Sequence, residues 1–160
     1  MTAETGETDT SCIVADADVL AADLLVGGPA RDALDHVRRH SWMSVAASDE
    51  LAGDARAVIA DLATEELAAD WYRRFDRERV AVDHPSGDHP ALASAYRAGA
   101  PHLLAFDEQL SSTGANLAMK SHMPVSIRHP DSFARLFDAE SLYETLHDDS
   151  YPGPDCDPRR

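Results

Sequence analysis

The chain has 160 residues, 44% of them hydrophobic, with 29 Asp and Glu against 14 Lys and Arg for a formal net charge of −15. That length suits one domain around a single core, and the charge excludes a nucleic-acid clamp built on a broad basic surface. Cys12 and Cys156 stand alone near opposite ends, which excludes a disulfide framework or a cysteine-rich zinc site.

Residues 1–11 carry no apolar periodicity and are expected to form a disordered acidic tail; their opening, MTAETGETDT, lacks the basic and apolar regions of a signal peptide. Cys12 to Ala15 is a short apolar run that reads as a buried strand ending at Asp16. A helical stretch over Val19 to Val26 follows, broken by Gly27 and Gly28, and Pro29 opens a second helix at its first position. Trp42 to Ala46 is a second strand. Ser48 or Asp49 caps a helix to about Leu62, with Leu51, Ala55, Val58, Ile59 and Leu62 on one face, and Thr64 starts another through Trp71 and Phe75.

Val80 to Val82 is a minimal third strand, and DHPSGDHP is a loop. Pro90 opens a helix closed by Gly99, and His102 to Phe106 is a fourth strand ending at Asp107. A short helix near Ala115 to Ser121, a fifth strand over Val125 to Ile127, and a helical region over Ser132 to Leu146, opened by Pro130 and interrupted near Asp138, complete the domain. Residues 147–160 are acidic and Pro-rich and read as a second disordered tail, leaving 12–146 as the folded unit. Strands alternating with helices predict a three-layer α/β/α sandwich with a mostly parallel sheet of about five strands.

No apolar run reaches the roughly 20 residues that span a bilayer, so a reduced cytoplasm and no membrane are expected. The acids are mostly Asp, and Lys120 is the only lysine. Such a surface suits a cytosol of molar salt, where the Debye length falls to about 3 Å and carboxylates no longer repel strongly.

In an open parallel sheet, ligands bind beyond the carboxyl ends of the strands. Asp16 and Asp107 close strands one and four, Asp88 precedes the Pro90 helix, and Asp49, Glu50 or Asp54 lies in the helix after strand two. Carboxylates gathered there repel one another unless a cation lies between them. Oxygen ligands suit Mg²⁺ or Mn²⁺, which serve phosphodiester cleavage. The competing expectation is that these are ordinary capping or solvated acids.

Three segments carry a resemblance. CIVADADVLAADLL resembles the opening of PIN domains, with Asp16 in the acidic position and Ala17 and Asp18 where Thr and Asn are usual. DHPALASAYRAGAPHLLAFDEQL resembles the central PIN stretch: Asp88 heads the helix, Gly99 and Ala100 follow, Asp107 ends the strand and Leu110 lies three residues on. Ala105 and Phe106 replace its usual Thr and Gly. VSIRHPDSFARLF is similar to the closing strand and helix at Val125, Pro130 and Phe133. The resemblance implies a PIN-like fold and metal-dependent endoribonuclease activity, with Asp16, Asp54, Asp88 and Asp107 holding Mg²⁺ or Mn²⁺, and Asp18 and Glu50 as further oxygen donors. It also implies RNA as substrate, homodimers, and an antitoxin or other protein partner for members that act as toxins. The alternative it leaves is a catalytically silent PIN-like module that binds RNA or protein.

DADVL also resembles the Asp-x-Asp strand end of haloacid-dehalogenase-like phosphatases, but Lys120 follows Asp107 where it should precede it, and LLAFDEQL lacks a second Asp. Arg73, Arg74, Arg77 and Arg79 form the one cationic cluster. It reads either as a phosphate contact beside the acidic site or as a solvated helix face pairing Asp70, Asp76 and Glu78. Trp71 and Phe75, at helical spacing, read as core before base-stacking platforms. His84, His89 and His129 flank loops without metal-ligand spacing.

Overall fold

The structure is a computed structural model that describes residues 8–107 and 125–159. Its elements in chain order are β1 (Cys12–Ala15), α1 (Ala17–Leu25), α2 (Gly28–Arg38), β2 (Ser44–Ser48), α3 (Asp49–Leu62), α4 (Glu65–Glu78), β3 (Val80–Val82), α5 (Pro90–Ala98), β4 (His102–Leu104), β5 (Ser126–Arg128), α6 (Pro130–Leu136) and α7 (Ala139–His147). The five strands pair in parallel in the order β3-β2-β1-β4-β5. Helices cover both faces, so the fold is the expected α/β/α sandwich. Chain order reverses between β1 and β4, which makes their carboxyl ends a topological switch point.

β1 lies at the centre and is buried at all four positions, which is why CIVA is apolar without alternation. Ile13, Leu103, Leu104, Leu51 and Ile59 are each no more than 1% exposed, and each such side chain contributes about 1.5–3 kcal/mol by leaving water. Along α3 the buried stripe is Leu51, Ala52, Ala55 and Ile59. Leu62, expected on that face, is 69% exposed at the helix end. Gly99 ends α5 in the left-handed region at φ 72°, its N–H bonding the carbonyls of Ala95 and Tyr96.

Strand boundaries move by one or two residues from the sequence expectation. β2 begins at Ser44 because Trp42 is used in packing: its ring lies against His40, Tyr143 and His147. β4 ends at Leu104, although the Ala105 N–H still bonds the Arg128 carbonyl at 2.9 Å. The interruption near Asp138 is real, since Asp138 accepts from the Ser141 N–H to cap α7. The helix expected near Ala115 to Ser121 lies outside the described residues, as do Leu110 and Lys120.

The described parts of the two expected tails, residues 8–11 and 147–159, are bonded to the domain. The Asp9 N–H bonds the Gly99 carbonyl at 2.7 Å, so the chain is held to the domain three residues before β1. After α7, the Tyr151 hydroxyl meets His40 Nε2 at 2.6 Å, and the Asp155 and Cys156 N–H groups bond the Arg39 carbonyl at 2.9 and 3.1 Å. Asp155 accepts from the Ser41 N–H at 2.8 Å and from its hydroxyl at 2.5 Å. Arg159 pairs with the buried Asp35, which shares Arg38 with the buried Asp23. Residues 148–159 are thus a strap across α2 and the approach to β2, correcting the expectation of a disordered segment from 147 onward. Composition could not show this, because the strap is held by specific polar partners rather than by apolar burial.

Candidate functional site

Asp16 follows β1 directly and caps α1, its carboxylate accepting from the Ala17 N–H at 2.8 Å. Its own N–H bonds the Leu104 carbonyl at 2.9 Å, tying the end of β1 to the end of β4. The side chain is partly buried, and burial raises its pKa above the ordinary aspartate value. The negative charges of Asp18 and Asp54 push the same way, while the Ala17 N–H and the charge of His89 oppose. Asp16, Asp18, Asp54 and His89 therefore share one electrostatic neighbourhood at the switch point.

The structure separates the three candidates for the second acid. Asp49, in the first turn of α3, meets the Arg79 guanidinium at 2.5 Å. Glu50 lies 3.2 Å from Nδ1 of His84. Asp54, a turn further along, is the one of the three whose charge acts on Asp16. Asp88 is buried at 7% exposure just ahead of α5, and Asp107 is exposed, three residues beyond the end of β4. The sequence expectation that Asp107 closes a strand is corrected accordingly: the ladder stops at Leu104, and Phe106, packed edge-on against His129, leads the chain out.

His84 is more embedded than its loop suggested. Its side chain is fully buried, with Nε2 at 2.9 Å from the Ser48 hydroxyl and Nδ1 at 2.9 Å from the Pro85 carbonyl. Both neighbours of Nδ1 are acceptors, so Nδ1 carries a proton. The same Ser48 oxygen accepts from the Leu51 N–H at 3.1 Å, capping α3, and the Ser48 N–H bonds the Ser94 hydroxyl at 3.1 Å. One chain of bonds thus links β2, the start of α3, the loop after β3 and α5. Neither His84 nor His89 has metal-ligand spacing. The signal in the sequence was the repeated Asp-His-Pro in DHPSGDHP, whose second copy opens α5 and whose first turns His84 inward.

The cationic cluster is drawn into ion pairs. Arg73 pairs with Asp70, and Arg74 reaches Glu78 at 3.1 Å. Arg79, only 5% exposed in its side chain, binds Asp49, Asp76 and the Ala47 carbonyl. Arg77 is exposed. Trp71 stacks on the buried Phe75 at 4.8 Å and 12° between planes, within the core, as the helical spacing suggested. His129 caps α6, its Nδ1 accepting from the Asp131 N–H at 3.1 Å.

Asp16, Asp18 and Asp54 offer hard oxygen donors whose mutual repulsion a divalent cation would relieve, so the donor chemistry fits Mg²⁺ or Mn²⁺. Among the described residues, however, no three His, Cys, Asp or Glu side chains already converge in a metal-binding group. Among the same residues, no helix is long and apolar enough to cross a membrane. A family model matches residues 7–159, so the chain belongs to that family, described as a family of unknown function (DUF7384). No curated protein and no solved structure matches.

Proposed function

For this member of DUF7384 we propose a Mg²⁺- or Mn²⁺-dependent ribonuclease of PIN type, with its site at the carboxyl ends of β1 and β4. The observation that carries the reading is the partly buried Asp16 carboxylate at the switch point, with Asp18 and Asp54 close enough to disfavour its charge. Burial of a charge beside like charges lowers stability, and groups perturbed in this way cluster at functional sites. Asp16 and Asp54 would hold the ion, with Asp18, Asp88 and Asp107 as further oxygen donors. A bound divalent ion would act there as a Lewis acid and lower the pKa of an attacking water.

The chain's own part is to position. The Asp16 cap and its bond to Leu104 fix the first carboxylate, and the bonds of Ser48 to His84 and Ser94 fix the start of α3 that carries Asp54. Arg77 is a contact for the RNA backbone, and Arg73 and Arg74 could join it by exchanging their carboxylate partners for phosphate.

A second reading has its own support: with no three donors preassembled among the described residues, the domain would be a silent PIN-like module that binds RNA or a protein. Thermal melts with and without millimolar Mn²⁺, alongside cleavage of a fluorescent RNA, distinguish the two. The nuclease reading expects Mn²⁺ to raise the Tm by mass action, and expects Asp16→Asn to abolish both that rise and cleavage. Absence of any Mn²⁺ effect on the wild-type protein would favour the silent module.

A further inference from the structure

None of the acids of the sheet edge lines a second feature, a cavity of about 380 Å³ where β4 and β5 meet α6 and α7. That volume lies within the ~300–1,000 Å³ of small-molecule sites. Its walls are largely apolar, from Ile13, Phe133, Leu136, Phe137 and Leu142. Leu136 stays 68% exposed at the rim, while Phe133 is buried at 5%.

Arg128, at the end of β5, is the cation in this wall. Its guanidinium has no ion pair or side-chain hydrogen bond among the described residues, whereas Arg31, Arg38 and Arg79 are each held by carboxylates or carbonyls. His102, across the ladder two residue pairs earlier, is kept below the usual histidine pKa by burial and then by the charge of Arg128. Its Nδ1 is buried without a hydrogen-bond partner. An imidazole whose charged form is disfavoured thus stands beside a guanidinium with no ion pair among the described residues. The acid in the wall, Asp138, is committed to capping α7, accepting from the Ser141 N–H at 3.1 Å and its hydroxyl at 3.0 Å.

We propose that this cavity binds a small monocarboxylate with an apolar body, its carboxylate on Arg128 and its body between Phe133, Leu136 and Leu142. One open guanidinium matches one negative charge; a dianion such as phosphate would leave charge over beside Asp138 and fill none of the apolar wall. A neutral apolar molecule would leave Arg128 unused. The site is independent of the carboxylate edge and of any nuclease activity.

Phenylacetate and its uncharged isostere phenylacetamide are the probes, titrated into the full chain in EDTA and followed by calorimetry and by the imidazole NMR signals of His102. The expected result is phenylacetate binding that shifts the His102 signals, with phenylacetamide weaker by about tenfold or more, as loss of a charge-assisted bond implies. Arg128→Gln, at an exposed position, should reduce phenylacetate affinity to that of the amide. Thr145→Trp, on the exposed rim of the cavity, should block both. Equal affinity for the two probes, no binding of phenylacetate, or full phenylacetate affinity in Arg128→Gln would overturn the proposal.

Discussion

Replacing Asp16 by Asn should make the metal-free protein more stable. Asn caps a helix about as well as Asp, so the bond to the Ala17 N–H is kept. What is lost is a negative charge at the start of α1, worth about 0.3–1 kcal/mol through the helix dipole, and its attraction to the charge of His89. What is gained is relief from Asp18 and Asp54, each comparable to an exposed ion pair at about 0.2–1 kcal/mol, and from placing a charge in a partly buried position. The gains exceed the loss, for a net stabilisation of about 1 kcal/mol, or roughly 2–4 °C in Tm for a chain of this size.

The sign follows from the direction of the shift. A folded pKa above the unfolded value means the contribution of Asp16 is most favourable below the unfolded pKa and is lost as pH rises through the folded one. The advantage of Asp16→Asn should therefore be present at pH 7 and vanish toward pH 3. Calorimetric melts of both proteins in EDTA measure it, at low salt and again at molar KCl, where the part due to the exposed Asp18 and Asp54 should shrink. A lower Tm for Asp16→Asn at pH 7 in EDTA would refute the reasoning, since it would make the carboxylate a net stabilising cap. Asp16→Ala serves as the control, because it removes the same charge and also the cap, at a cost of about 1 kcal/mol relative to Asn.

Ser48→Ala should lower stability by about 1–3 kcal/mol in urea unfolding, because it removes the α3 cap and leaves His84 Nε2 buried without its hydrogen-bond partner; a loss under about 0.5 kcal/mol would match an ordinary surface change and contradict the network. Arg79→Ala should cost about 1–3 kcal/mol by taking the donor from the Ala47 carbonyl and two carboxylates, with Arg79→Lys recovering only part because one ammonium cannot reproduce the planar fork. Asp155→Ala should free the strap, seen as faster amide exchange across residues 151–157 and a nick by protease there while the domain stays folded. Its bonds from the Ser41 hydroxyl and N–H hold the Asp155 carboxyl below the usual aspartate pKa, so the attachment is present above the unfolded value and should be lost only as pH falls through the lower folded one. The Ser41 amide shift reports it.

Patterns of apolar residues and local caps were enough to read the layers, the strand count and most helix boundaries, because those depend on neighbours along the chain. CIVA, the Ser48 and Thr64 caps, Pro90 and Gly99 each act within one element, and each lies where its chemistry requires. The place of Asp16 at the end of β1, beside β4, was legible for the same reason: a parallel sheet puts strand ends on one side.

Tertiary structure decided which acid faces which. Asp49, Glu50 and Asp54 are equivalent in composition, and only the positions of Arg79 and His84 assign the first two away and leave Asp54 acting on Asp16. It also turned an acidic Pro-rich ending into a strap, since Arg39, Ser41 and Asp35 lie far from it in sequence. The net charge of −15 fixes the average field of this protein, but the local balance at Asp16, Arg128 or Asp155 depends on which few charges come within several ångströms, and folding alone sets those distances.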